Sequence, residues 1–252
     1  MLQFTYFEYF FLVVAGVVAS IIDTIVGSGG IVVVPALLAM GVSPLVALGT
    51  NKLQEPAGQL VATLRFIRTG ELHWKIIFSV GVCSLMGASC GAILVQLIHN
   101  DILDKIIPLF LMLVLIYSVF SDKLFTEHDN KKLNLFSFSL VFGLFIGFYN
   151  GFFGPGTGLL FTAALISFFA MDLRLATMYA KPANLCCNVI SLIWFVKNGN
   201  VHYFAALALM FGGVLGSIIG AHLVIKKGAP LIKPIFIAIL FLLTMHLFWE
   251  VI

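Results

Sequence analysis

Long apolar stretches follow one another along almost the entire chain, and this feature limits the possible fold more than any other. They cover residues 7–26, 30–40, 44–67, 76–98, 102–120, 134–153, 158–171, 174–196, 201–225 and 231–250. A helix needs about 20 apolar residues to cross the hydrocarbon core of a bilayer. The sequence therefore predicts an all-α, polytopic membrane protein with about eight spans, or up to about ten membrane segments if broken helices are counted separately.

The composition excludes several other classes of protein. Hydrophobic residues make up 61% of the chain and charged residues only 10%, whereas soluble domains carry roughly 25% charged residues. Disorder requires low hydrophobicity and high charge. The 14 Lys and Arg residues are spread along the chain and leave a net charge of +3, so we expect no nucleic-acid partner. The N-terminus lacks a basic region, which indicates a permanent first span and not a cleaved signal peptide.

The sequence also lacks the motifs of the common enzyme and metal sites. The four cysteines lie in apolar stretches without His or carboxylate neighbours, and buried free cysteines usually only fill space. Zinc-protease, P-loop and nucleophile-elbow motifs are absent. The sequence therefore predicts no catalytic residue, no metal site and no cofactor, and the protein is not expected to be an enzyme.

Two halves of the chain resemble each other. At one constant spacing along the chain, the first-half residues Gly16, Asp23, Gly27 and Gly29 correspond to Gly143, Asn150, Gly154 and Gly156. At a second and slightly longer constant spacing, Lys52, Phe66, Gly70, His73, Gly87 and Gly91 correspond to Lys181, Phe195, Gly199, His202, Gly216 and Gly220. This pattern predicts a first transmembrane repeat over 1–120, a linker loop over 121–133 and a second repeat over 134–252, which together form one membrane domain.

The charges of equivalent loops predict that the repeats are inverted. Loop 65–75 is basic, whereas its counterpart 196–201 holds only Lys197. Loop 98–105 is net acidic, whereas its counterpart 225–233 holds three lysines. Because basic loops favour the cytoplasmic side, equivalent loops should lie on opposite sides of the membrane. Each half would then cross an odd number of times, with the N-terminus outside.

A glycine-rich break precedes each of the two short apolar stretches. The breaks are Gly27–Gly30 and Gly154–Gly158, and we expect Pro155 and Thr157 to start the helix after the second. Irregular backbone at membrane depth is tolerated only inside protein or along a water-filled cavity. The free N–H groups of a half-helix would suit an anion.

The glycines could instead serve close helix packing. Two breaks at equivalent positions of two repeats favour a transporter binding site.

Four charged residues are expected deep in the membrane: Asp23, Lys52, Glu55 and Lys181. Buried charges of this kind are costly and usually functional, and a lysine suits an oxyanion. We expect both lysines to face one cavity, each beside a half-helix N-terminus. Alternatively, Lys52 snorkels to the interface, or pairs with Asp23 or Glu55 and only locks helices. If one of these acids pairs with Lys52 when substrate is absent, its protonation would free the lysine, so both acids are coupling candidates.

The candidate substrate-binding residues combine the breaks with the lysine segments. They are Gly27, Ser28, Gly29, Gly30, Thr50, Asn51, Lys52, Gly154, Gly156, Thr157, Gly158, Lys181 and Asn184.

These segments also resemble a known family. The first half contains DTIVGSGG at 23–30 and GTNK at 49–52, and the second contains GFYNGFFGPGTG at 147–158 and KPAN at 181–184. Over essentially the whole chain, this pairing resembles the TauE/SafE family of membrane transporters. Only the lysine is shared between the two lysine segments, since Ala180 stands where the first half has Asn51.

The resemblance implies a secondary transporter in the bacterial cytoplasmic membrane. Family members move sulfite and small organosulfonates, usually outward, so the implied partners are a small anion and the lipid bilayer. The first alternative is an inverted-repeat channel for a small solute, although the chain lacks the paired Asn-Pro-Ala motifs of aquaporin-like pores. The second is a non-transporting assembly protein, which would not need two buried lysines.

Overall fold

The computed structural model describes residues 4–103, 105–107, 109–110 and 133–227, and all regular elements in these residues are helices. In the first half they are α1 (Tyr6–Val26), α2 (Gly30–Ala39), α3 (Pro44–Ile67) and α4 (Trp74–Val95). In the second half they are α5 (Leu135–Phe152, with a π-helical turn at Ser139–Gly143), α6 (Thr157–Phe169), α7 (Leu173–Lys197) and α8 (Tyr203–Lys227). Residues 100–103, 105–107 and 109–110 are also helical.

Four of these helices, α1, α4, α5 and α8, are long and apolar enough to cross a membrane. Large side chains such as Phe7, Phe78, Phe145 and Phe211 are exposed on them, as expected of surfaces that face lipid. The all-helical, multi-pass character of the chain is therefore confirmed. The count of about eight spans stays a prediction, and the expected linker 121–133 lies outside the described residues except for Leu133.

The two longest central helices, α3 and α7, differ from the apolar helices around them. They contain 24 and 25 residues, so each is roughly 36 Å long. Their sequences carry the buried charges Lys52, Glu55 and Lys181. Because other helices surround them, their polar faces contact protein and not lipid, which explains why apolar character alone does not identify α3 and α7 as spans.

Long apolar helices pack in pairs, each pair joining one half to the other. Thus α1 lies along α8 and α4 lies along α5, while α3 and α7 contact each other between these pairs. Glycines let the backbones approach closely, since a Cβ on Gly216 would overlap the carbonyl of Val17, and one on Gly87 would overlap that of Leu144. This cross-packing brings the two breaks towards each other.

Candidate functional site

The first break joins α1 to the short helix α2. Gly27 ends α1 in the left-handed conformation with φ +82°, and its N–H donates to the Asp23 carbonyl at 2.7 Å. Any side chain would be strained there, and a Cβ would also overlap the backbone of Gly158. Helix α2 begins at Gly30 without a side-chain cap. The N–H groups of Ile31 and Val32 at its start donate to the carbonyls of Ser28 and Gly29 in the break, at 3.2 and 3.0 Å.

The second break joins α5 to α6 through two glycines with positive φ, +98° at Gly154 and +84° at Gly156. Gly156 is the N-cap of α6, so the expectation that Pro155 and Thr157 start this helix holds only for Thr157, its first residue. The Thr157 hydroxyl donates back to the Gly154 carbonyl at 2.5 Å, and the Tyr149 hydroxyl donates to the Pro155 carbonyl at 2.6 Å. Local hydrogen bonds thus fix the shape of this break.

The two breaks touch each other in the interior of the protein. The Gly158 N–H donates to the Gly27 carbonyl at 2.9 Å, and all residues of both breaks are buried. A Cβ on Gly30 would lie 3.0 Å from Asn51 Nδ2, 3.1 Å from Pro155 Cγ and 3.2 Å from Glu55 Oε1. The start of α2, the second break and the polar face of α3 therefore meet at one point.

Lys52 extends from α3 to the end of α5 in the other half. Its side chain is 1% exposed. The ammonium group donates to the Asn150 carbonyl at 2.6 Å, to Asn150 Oδ1 at 2.8 Å and to Asn188 Oδ1 at 2.9 Å. An ammonium has three donors, so these acceptors satisfy all of them. Lys52 also touches the second break, because a Cβ on Gly154 would lie 2.7 Å from its Nζ.

Lys181 makes the equivalent contact in the opposite direction, from α7 to the end of α1. Its ammonium donates to the Asp23 carbonyl and, at 2.8 Å, to Asp23 Oδ2. The structure therefore pairs Asp23 with Lys181, and not with Lys52 as one of the alternatives from the sequence had it. Both lysines bond carbonyls in the last turn of a helix, where the negative end of the helix dipole favours a cation.

Glu55 is held by amide side chains. Asn51 Nδ2 donates to Oε1 at 3.0 Å, and Asn188 Nδ2 and Gln59 Nε2 donate to Oε2 at 2.6 and 3.4 Å. Asn188 thus contacts both charges, because its oxygen accepts from Lys52 while its nitrogen donates to Glu55. Glu55 and Lys52 are bridged by an amide and do not form a direct ion pair.

Most of the remaining predicted residues join this cluster, with one exception. Asn184 Oδ1 accepts from Asn150 Nδ2 at 2.7 Å, and Ser28 is buried in the first break with no partner for its hydroxyl among the described residues. Thr50 lies elsewhere, since it donates to the Val46 carbonyl and accepts from the His202 N–H at 2.9 Å. Its role is to join α3 to the start of α8.

Three amide residues of the cluster are missing from the sequence-based candidates: Gln59, Asn150 and Asn188. They are neutral, and single amides in apolar helices draw little attention. The internal repeat marks all three, because Gln59 and Asn188 stand at the same spacing that relates Lys52 to Lys181, and Asn150 is the equivalent of Asp23. In the described residues, no group of three or more His, Cys, Asp or Glu side chains could hold a metal ion.

An exposed ion pair links the α3–α4 loop to the start of α7. The guanidinium of Arg174 donates to both carboxylate oxygens of Glu71, at 2.6 and 2.7 Å. This hydrogen bonding holds the pKa of Glu71 below its usual value. Neutral amides occupy the equivalent place in the other half, where Asn198 and Asn200 donate to Gln96 Oε1 at 2.9 and 3.1 Å.

Known proteins match this chain over nearly its whole length. The family model described as sulfite exporter TauE/SafE matches residues 12–247. A probable membrane transporter protein of Haemophilus influenzae is 35% identical over 235 residues, which cover 93% of this chain and 92% of that protein. The probable membrane transporter protein YfcA of Escherichia coli K12 is 33% identical over 232 residues, covering 92% and 86%. YunE of Bacillus subtilis, also a probable membrane transporter protein, is 26% identical over 266 residues, covering 95% and 97%. No solved structure matches the chain.

Proposed function

This chain belongs to the TauE/SafE family of sulfite exporters, and we propose that it is a secondary transporter of a small anion such as sulfite or an organosulfonate. Its family and its relatives are membrane transporters and not enzymes. The proposed transport is outward across the bacterial cytoplasmic membrane. The proposed anion site lies between the first turns of α2 and α6, beside Lys52 and Lys181.

The observation that carries this proposal is the meeting of two broken helices and two lysines in the protein interior. Each break leads into the N-terminus of a short helix, where the positive end of the helix dipole favours an anion. Each lysine contacts the helix before the break of the other half. A sulfonate or sulfite between the two helix starts would be attracted by both helix dipoles and both ammonium groups.

We also propose that the two halves are inverted repeats, each of which crosses the membrane an odd number of times. Matching contacts support this arrangement. Lys52 contacts Asn150 and Lys181 contacts Asp23, and both the two lysines and their two partners are equivalent positions of the sequence repeat.

A second pair of contacts between the halves also matches. The His202 N–H donates to Thr50, and the His73 N–H donates to Tyr179 at 2.7 Å. The two donors are equivalent positions of the repeat, and so are the two acceptors.

Cysteine labelling tests the inversion. Two variants are made in a background without Cys83, Cys90, Cys186 and Cys187, one with a single cysteine at Thr69 and one with a single cysteine at Asn198. A membrane-impermeant thiol reagent should label the first variant from one face of the membrane and the second from the opposite face. Labelling of both positions from the same face would show that the repeats are parallel.

A flux screen in proteoliposomes tests the transport function. The panel contains sulfite, sulfate, thiosulfate, sulfoacetate, taurine, methanesulfonate and carboxylate analogues, with glycerol as a neutral solute. We expect wild-type protein to move at least one sulfur oxyanion, and Lys52→Gln, inserted at the same level, to move it at least about 100-fold more slowly. Movement of glycerol without any anion would support the channel alternative. Absence of any flux through well-inserted protein would contradict both functions.

A further inference from the structure

The buried charges of the site cancel in the described state. Asp23 on α1, Lys52 and Glu55 on α3 and Lys181 on α7 are each at most 6% exposed, and they sum to zero. If a monovalent anion entered this cluster alone, it would leave an uncompensated negative charge in a buried place, which is costly.

Three further buried titratable groups lie on or against these helices, and each has a partner outside the cluster. The Tyr179 hydroxyl accepts from the His73 N–H, the Cys187 thiol donates to the Ser84 carbonyl, and His202 Nδ1 accepts from the Ala205 N–H. None of these hydrogen bonds reaches Asp23, Lys52, Glu55 or Lys181.

Of the two carboxylates, Glu55 is the one without a lysine partner among the described residues. Asp23 accepts a direct hydrogen bond from Lys181, whereas all hydrogen bonds to Glu55 come from the neutral amides of Asn51, Gln59 and Asn188. Protonation of Asp23 would break an ion pair, and protonation of Glu55 would not. A proton that compensates an incoming anion is therefore accommodated best at Glu55.

The position of Glu55 makes its negative charge a competitor of the substrate. Its Oε1 lies against the start of α2, 3.2 Å from where a Cβ on Gly30 would be. This helix start is the place proposed for the anion, so two negative charges would meet there. A neutral Glu55 removes that repulsion.

Asn188 connects the state of Glu55 to Lys52. Its amide nitrogen donates to Glu55 at 2.6 Å and to Gln59 Oε1 at 3.0 Å, while its oxygen accepts from Lys52 at 2.9 Å. A protonated Glu55 is a weaker acceptor, so the amide is then held on its nitrogen side mainly by Gln59 and can turn away from Lys52. Lys52, whose three donors are all occupied in the described state, then has one donor free for the anion.

We propose, resting on the transport function above, that Glu55 binds a co-transported proton and that Asn188 transmits this protonation to Lys52. One proton from the solution that the site faces enters with each monovalent anion, so the transported unit is neutral. The direction of net movement then follows the sum of the anion gradient and the pH gradient, so export requires an outward anion gradient larger than any inward proton gradient. A zwitterion such as taurine adds no net charge and needs no proton.

Proton uptake on binding provides the first test. Purified protein in weakly buffered detergent solution is mixed with methanesulfonate, which does not titrate near neutral pH, and a pH indicator reports the protons taken up. We expect about one proton per bound anion for wild type, and none for Glu55→Gln. The matched control Glu71→Gln, in the exposed α3–α4 loop, should take up the same amount as wild type. Taurine should bind without uptake.

Transport against a pH gradient provides a second test that needs no variant. In proteoliposomes with the inside one pH unit more alkaline, methanesulfonate should accumulate inside, up to about tenfold, and a membrane potential alone should cause no accumulation. If anions of the panel bind and move without proton uptake, or if Glu55→Gln still takes up one proton, the proton site is wrong while the transport function stands. If no anion of the panel binds or moves, the transport function itself fails.

Discussion

The two halves of the protein hold equivalent lysines with different chemistry. Lys181 of the second half contacts Asp23, a charged partner, whereas Lys52 of the first half contacts Asn150 and Asn188, which are neutral. The backbone contact is the same in both cases, since each lysine donates to the carbonyl of the residue that also supplies the side-chain acceptor. The scaffold is thus nearly symmetric while its charges are not. This difference indicates that one lysine is anchored by an ion pair and the other can be released more easily.

The largest effect is expected where the second break touches Lys52. In Gly154→Ala, the new methyl group would lie 2.7 Å from Lys52 Nζ, and the backbone would be strained because φ is +98°. Displacement of the ammonium by about 1 Å is expected to slow transport by about 100-fold.

A matched control separates the clash from the backbone strain. Gly70 has a similar φ of +77°, but a Cβ there meets nothing within 4 Å. Gly70→Ala should therefore keep nearly full proteoliposome flux. Equal flux in the two variants would show that the contact between Gly154 and Lys52 does not matter for transport.

The second prediction compares the stability of the two lysine sites. Lys181→Gln would leave the Asp23 carboxylate buried without a cation, which costs about 3–5 kcal/mol. Lys52→Gln removes hydrogen bonds from neutral acceptors and should cost about 1–3 kcal/mol. Thermal unfolding in detergent measures both, and the double variant Asp23→Asn/Lys181→Gln should regain much of the loss. If both single variants unfold at the same temperature, the ion pair of Asp23 and Lys181 contributes no more to stability than the hydrogen bonds of Lys52.

The third prediction makes the two halves chemically alike. Asp23→Asn gives the first half an asparagine, the residue that stands at the equivalent position 150 of the second half. The buried cluster then carries one net positive charge. A monovalent anion can then enter without a proton, so its affinity should rise by about tenfold at neutral pH and depend less on pH. Binding of methanesulfonate measured from pH 6 to 8 checks this result. An unchanged pH profile would contradict the charge balance.

The sequence was sufficient to predict the helical membrane fold and the short helices after each break. Glycines at 27 and 154 adopt positive φ, and the residues that follow are too few to span a bilayer, so the local signal was strong. The sequence did not indicate which residue each lysine contacts. Asp23 and Lys52 belong to the same half, but each lysine crosses to the other half, and only the three-dimensional packing determines this exchange.

Helix geometry explains why Thr50 lies away from the Lys52 side chain. The two residues are two positions apart, and such residues do not share a helix face. Glu55 and Gln59 follow Lys52 at three and seven residues and do share its face. The spacing along α3 therefore favours Gln59 over Thr50 as a neighbour of Lys52.

The smallest effect is expected at the exposed loops, where the two halves again differ in charge. The pair of Glu71 and Arg174 is partly open to solvent, with side-chain exposures of 40% and 28%, so water screens it and Arg174→Gln should cost only about 0.2–1 kcal/mol. The pKa of Glu71 is lowered in the folded protein. This stabilisation is therefore present above the pKa of the unfolded state, about 4.3, and is lost as the pH falls through the lower folded value.

The apparent thermal midpoint of Arg174→Gln should thus lie slightly below that of wild type at pH 7, and the difference should vanish at low pH and shrink in high salt. Asn198→Ala provides the comparison from the other half, because it removes a neutral hydrogen bond to Gln96. Its effect should be nearly independent of both pH and salt, since neither partner carries a charge. If Arg174→Gln were equally destabilising at low and neutral pH, the ion pair would act through packing alone, and the electrostatic difference between the two loops would have no consequence for stability.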